Sequence, residues 1–215
     1  MKNLKSVNEF WGAVIRRDMS SAVREEDKFH NYEELKEYLK KEIEKQGKNV
    51  VIKNLDVSGI EDLSWLFDGL LRGVETLDLS GWNTKGVKYM CSMLHNCIEA
   101  KSSDLSGWDT SSVENMMYMF GYCINLDGIN LSGWDTGNVE NMSNMFYSCL
   151  HLKSLDLSIW DISGVEDMRC MFFDCKSLES LDLSGWDTSG VRYMRSMFHN
   201  CPAPYKVVNN KIVRK

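Results

Sequence analysis

The sequence predicts an α/β chain: a leucine-rich-repeat-like solenoid with a parallel sheet, one short helix per 26-residue coil and a helical N-terminal cap. Three observations lead there. Trp82, Trp108, Trp134, Trp160 and Trp186 recur every 26 residues without insertion, and Cys97, Cys123, Cys149, Cys175 and Cys201 keep the same step. Within a unit, Leu155, Asp156, Leu157 and Ser158 alternate apolar and polar, as a half-buried strand does. Val165, Met168, Met171, Phe172 and Cys175 then fall at i, i+3, i+6, i+7 and i+10, which reads as one stripe of a three-turn helix.

The elements follow in chain order. Phe10, Trp11, Val14 and Ile15 suggest a first helix, and Tyr32, Leu35, Leu39 and Ile43 trace a second. Asn49 to Lys53 reads as a short strand, so residues 1–50 form the helical cap that an open solenoid end needs. The solenoid spans 51–201: a partial unit at 55–73, in which Leu55, Ile60, Leu63, Leu66 and Phe67 keep the pattern without the Trp turn, then five full repeats. Ser58 with Glu61, Ser111 with Glu114 and Ser163 with Glu166 fit capping boxes for the helix starts. Both prolines, Pro202 and Pro204, lie past the last repeat, where 202–215 reads as a basic tail.

Charge narrows the partners. Residues 51–201 hold 10 basic and 21 acidic groups, against 11 and 10 in 1–50 and four basic groups in the tail. An acidic body repels phosphate backbones and anionic membrane, so nucleic-acid and membrane binding are disfavoured and a protein with a basic surface is the favoured partner. The first residues lack the apolar run of a signal peptide, and no stretch is long enough to span a bilayer, so the chain is expected in the cytoplasm. Seven cysteines, an odd number, agree with reduced thiols.

The run LDLSGWDTSGV followed by MxxMFxxC, over about residues 51–201, resembles the BspA-like leucine-rich repeat surface proteins of bacteria. That resemblance implies adhesion or protein interaction by a repeat array, usually at the cell surface.

The conspicuous residues read as structure. A parallel row of cysteines in an apolar core does not converge on one metal ion, and recurrent Met, Phe and Trp are core. The tryptophans are placed at the corner between strand and helix. Asp78, Asp104, Asn130, Asp156 and Asp182 are expected as an outward ladder on the strands and Asn83, Asp109, Asp135, Asp161 and Asp187 as a second ladder at the corner, where the Asp residues make Asx turns; neither is expected to hold calcium. Thr110 and its equivalents, with Ser80, Ser106, Ser132, Ser158 and Ser184, are expected on an outward polar face. Motifs such as HExxH, GxSxG, GxGxxG and the phosphate loop are missing from the sequence, so no catalytic residue, metal or cofactor is assigned. His95 and His199 occupy one repeat position four units apart and are expected not to cooperate.

Binding is sought where units differ. Among the outward positions of the expected helices, aromatics collect in the middle units: Tyr118, Tyr122, Tyr147 and Phe173 are the candidate partner-binding patch. The expected function is a non-enzymatic protein-binding module, with a cytoplasmic inhibitor of a basic partner or a surface adhesin as alternatives.

Overall fold

A computed structural model describes residues 28–97, 102–209 and 211–214. The helix expected around Phe10 lies outside the described residues. The chain is mixed α/β, with one α-helix and small parallel sheets and, among the described residues, no closed barrel.

Helix α1 (Tyr32–Gln46) starts where Asn31 Oδ1 accepts the amides of Glu33 and Glu34 at 2.8 and 3.4 Å, with acidic residues in the first turn and Lys45 in the last. Gly47, at φ +71°, ends it in a conformation that costs glycine nothing. Its stripe Leu35, Leu39 and Ile43 is buried, as the 3–4 residue spacing requires. Among the described residues no helix is long and apolar enough to cross a membrane.

Short strands follow, one per unit: β1 (Asn49–Val51), β2 (Thr76–Asp78), β3 (Ser102–Asp104), β4 (Gly128–Asn130), β5 (Ser154–Asp156) and β6 (Ser180–Asp182). They pair in parallel as β1–β2, β3–β4 and β5–β6. The register is 27 residues at first, Val50 opposite Leu77, and 26 later, Leu155 opposite Leu181, so equal unit length places like on like. A second ladder on the Met-bearing side is continuous, through parallel bridges Asp62–Tyr89–Asn115–Asn141–Asp167–Tyr193. The partial unit is therefore a full member of the stack.

The helix expected in each coil is absent. Val, Met, Met, Phe and Cys point inward, but along a chain of tight turns: Met119 N donates to Met116 O, Gly121 N to Tyr118 O and Cys123 N to Phe120 O. Each turn spans three bonds of chain, so inward residues recur every third position and mimic a helical stripe. What decides against the helix is width. A helix is about 10–12 Å across, whereas the rings of Phe120, Phe146, Phe172 and Phe198 on this side stack at 5.4, 5.7 and 5.6 Å from unit to unit. Turns also leave alternate amides free to bond the next unit: Met116, Tyr118, Phe120 and Tyr122 donate to Asn141, Ser143, Met145 and Tyr147 at 2.7–3.0 Å. A helix would have used those amides internally.

The serines of the expected capping boxes accordingly cap nothing helical. Ser58, Ser111 and Ser163 donate their amides to Asp56, Asp109 and Asp161, which are the Asx turns expected of the corner residues. The threonines are not outward: Thr84, Thr110 and Thr136 are buried, and each hydroxyl donates to the backbone carbonyl of Asp109, Asp135 or Asp161 in the next unit at 2.8–3.0 Å. The basic tail is an antiparallel hairpin of β7 (Tyr205–Val208) and β8 (Lys211–Arg214), preceded by buried Ala203 and closing the apolar C-terminal end with Tyr205, Val207 and Ile212.

The core is one continuous cluster from Phe29 to Ala203. Trp82, Trp108, Trp134 and Trp160 stack at 5.9–6.4 Å, and Trp82, Trp108, Trp134 and Trp186 each donate the indole N–H to a carbonyl in the preceding unit. Trp160 Nε1 has no acceptor. Its unit carries Ile159 where the others carry glycine, and a Cβ at Gly133 or Gly185 would fall 2.0–2.2 Å from the carbonyl oxygen of Ser106 or Ser158. Ile159 is 65% exposed.

Candidate functional site

Two residues of each unit adopt a left-handed backbone, as the third residue of successive turns. The first position holds Trp65, Ser92, Tyr118, Asn144, Cys170 and Ser196, at φ +53 to +61°. The second holds Gly69, Asn96, Tyr122, Ser148, Asp174 and Asn200. Glycine, asparagine and aspartate suit this region; most other residues pay about 1–2 kcal/mol there for the clash of Cβ with the carbonyl. Trp65, Tyr118 and Tyr122 sit there nonetheless, with Trp65 and Tyr122 exposed and Tyr118 half-buried, and none of the three belongs to the buried core.

The rings form a ridge. Tyr147 and Phe173 stack at 4.9 Å, their rings nearly parallel, and Tyr122 and Tyr118 approach Tyr147 at 5.2 and 5.8 Å. All four residues of the candidate patch thus share one surface. The ridge also runs further than sequence comparison suggested: His95 meets Tyr122 and Tyr118 edge-on at 5.5 and 6.0 Å, Trp65 packs on His95 at 5.7 Å, and Phe173 stacks on His199 at 4.6 Å. His95 and His199 do not touch each other, yet both belong to this one row. Trp65 escaped notice because the partial unit steps by 27 residues; counted with that step it shares the position of Tyr118.

Gly121 makes the row continuous. It stands at the repeat position of His95, Tyr147, Phe173 and His199, and a Cβ there would lie 2.6 Å from Tyr118 Cδ1 and 3.3 Å from His95 Cδ2. The missing side chain lets Tyr118 and Tyr122 lean in from either side. Ser92 and Ser143, in the same half of their units, are buried and stay out of the row.

Burial favours the uncharged forms of three ridge residues. Burial lowers the His95 imidazole against the opposing charge of Asp68, and burial raises the Tyr118 and Tyr147 phenols, the latter helped by Tyr122. Uncharged ring faces with Asp68 and Asp174 near them attract cations by their quadrupole and by charge. No nucleophile is activated in this setting: Cys91 and Cys170, the two partly exposed thiols, are both raised by burial. The ladder cysteines are buried, and Cys123, Cys149 and Cys175 donate their thiols to the carbonyls of Leu94, Phe120 and Phe146 at 3.0–3.1 Å. Among the described residues no group of three or more His, Cys, Asp or Glu is placed to hold a metal ion.

Comparison with known families gives one match, to the model for Mycoplasma proteins of unknown function named DUF285, over residues 33–128 and again over 123–212. The chain belongs to this family. The DUF285 matches begin within α1 and end within β8, so they take in the cap helix and the closing hairpin as well as the repeats. No curated protein and no solved structure matches the chain.

Proposed function

We propose that this DUF285 chain is a non-enzymatic binding module, a capped solenoid that presents a rigid acidic surface and captures a protein partner on the aromatic ridge from Trp65 to His199. The observation that carries the reading is the pair Tyr118 and Tyr122. Both hold a backbone conformation that disfavours them, on the surface, where asparagine or serine serves in other units. Aromatic anchors on a fixed backbone dominate interface energies at small entropic cost. Neutral rings beside carboxylates suit a partner whose contact surface is basic. The resemblance to BspA-like surface proteins favours a partner met outside the cell, as an adhesin would; the acidity of the repeats fits an inhibitor that masks a basic protein. Cell fractionation separates these two settings.

The test compares capture by the wild-type chain with capture by Tyr122→Asn and Tyr147→Ala. Tyr122→Asn relieves about 1–2 kcal/mol of left-handed strain while losing ring contacts of about 0.5–1.5 kcal/mol, so its melting temperature stays near wild type. Proteins retained by the wild type and released by both variants support the ridge. Undiminished capture by both would sink it, as would a large loss of stability in Tyr122→Asn, which would make the ring a structural clasp.

A further inference from the structure

The last rung of the stack has no rung after it among the described residues. Inside the stack, the amides of Met168, Cys170, Phe172 and Asp174 donate to the carbonyls of Tyr193, Arg195, Met197 and His199 at 2.7–3.0 Å. The equivalent amides of Met194, Ser196, Phe198 and Asn200 find no carbonyl among the described residues. The hairpin closes the apolar part of this end, with Tyr205 stacked on Phe198, but beside the open amides lies a groove of about 580 Å³ lined by Arg169, Arg192, Tyr193, Arg195, Ser196 and Val207.

Charge at this end is opposite to that of the earlier units. Among the described residues after Asp187 every charged residue is basic, namely Arg192, Arg195, Lys206, Lys211 and Arg214, whereas residues 51–187 hold 8 basic and 21 acidic groups. Arg169 pairs with Asp167 and lies 5.1 Å from the Tyr193 ring centre, and Arg192 pairs with Glu166 at 3.0 Å. Arg195 has no carboxylate partner among the described residues and is exposed.

A row of alternate main-chain donors takes a segment that turns a row of carbonyls toward it, as each following unit does inside the stack. The arginines select an acidic one. We propose that the C-terminal edge is a docking groove for an acidic, extended peptide segment of a partner protein, added as the next rung. Its carbonyls accept from the amides of Met194 and Ser196, and its carboxylates meet Arg195 and Arg192. A simple anion would satisfy the guanidinium groups but not a row of amides, and a long polyanion is repelled by the carboxylates of the earlier units. This groove is separate from the aromatic ridge, so each can fail alone.

The probe is a fluorescein-labelled peptide of alternating glutamate and threonine, with a lysine-for-glutamate control, measured by fluorescence anisotropy and by amide hydrogen exchange on the full chain. The glutamate peptide is expected to bind and to slow exchange at Met194 and Ser196. Arg195→Glu should weaken binding by about tenfold, with Tyr122→Ala leaving it unchanged. Equal binding of the lysine peptide, binding without slowed exchange, or equal competition by inorganic phosphate would overturn the proposal. So would sedimentation showing concentration-dependent assembly abolished by Arg195→Glu, which would make a second copy the occupant.

Discussion

Trp134 and Trp160 occupy the same repeat position and differ in one hydrogen bond. Trp134 Nε1 donates to Leu105 O at 2.8 Å, whereas Trp160 Nε1 has no acceptor. Replacing Trp134 by phenylalanine removes that bond, while Leu105 O keeps the amide of Trp108 at 3.1 Å, and should cost about 0.5–1.5 kcal/mol beyond the smaller ring. Trp160→Phe removes a donor that is already unpaired and should cost less; denaturant midpoints of the two variants check the order, and an equal loss would remove the hydrogen bond from the account. Trp134→Ala, which also empties the stack between Trp108 and Trp160, should cost about 3–5 kcal/mol. The burial of these rings was legible from their 26-residue recurrence, but the orphan indole was not. Only Ile159 in the glycine position hinted at it, and reading that hint requires knowing that the glycine lies against the Ser106 or Ser158 carbonyl in other units.

At the scale of elements, α1, β1 and the repeat strands were legible because strand alternation and the α1 stripe are set by local geometry. The second half of each unit was misread for a physical reason. Three-residue turns and a helix both bring every third residue inward, and they differ in where the backbone amides go. Serine, asparagine, aspartate and glycine at the two left-handed positions were the available signal, blurred because Trp65, Tyr118 and Tyr122 interrupt it. The same turns bury the cysteine ladder while leaving Cys91 and Cys170 at the rim. A disulfide-exchange reagent should therefore modify two thiols of the native protein, slowly because burial raises both, and all seven after denaturation. Rapid native reaction of a ladder cysteine would contradict the packing. The candidate patch was legible in part: Tyr118, Tyr122, Tyr147 and Phe173 stood out as departures from the repeat, whereas Trp65, His95 and His199 join them only through turn geometry.

The whole molecule carries its polar turns on its charges. Ser111 and Ser158 hydroxyl and amide groups hold the Asp109 and Asp156 carboxyls below the usual range, and chiefly the Ser163 and Ser189 amides do so for Asp161 and Asp187. Stability from such groups is fully present above the unfolded value of about 3.9 and is lost as pH falls through the lower folded values. His95, also lowered, adds a gentler loss as pH drops from about 6.5 toward its folded value. Denaturation midpoints across pH should thus show a shallow step that His95→Gln removes and a steep acid limb that Asp109→Asn reduces. A flat profile through both windows would contradict the assignment.

Each rung bonds only to the one before and the one after, at a constant step of 26 residues through the later bridges. Insertion or deletion of one whole 26-residue repeat would then add or remove a complete rung while leaving α1 and the closing hairpin as they are. Each such event would lengthen or shorten the stack by about 4.8 Å and move α1 and the closing hairpin apart or together in fixed increments. A lineage could vary its reach in this way by counting repeats, without a single new amino-acid substitution.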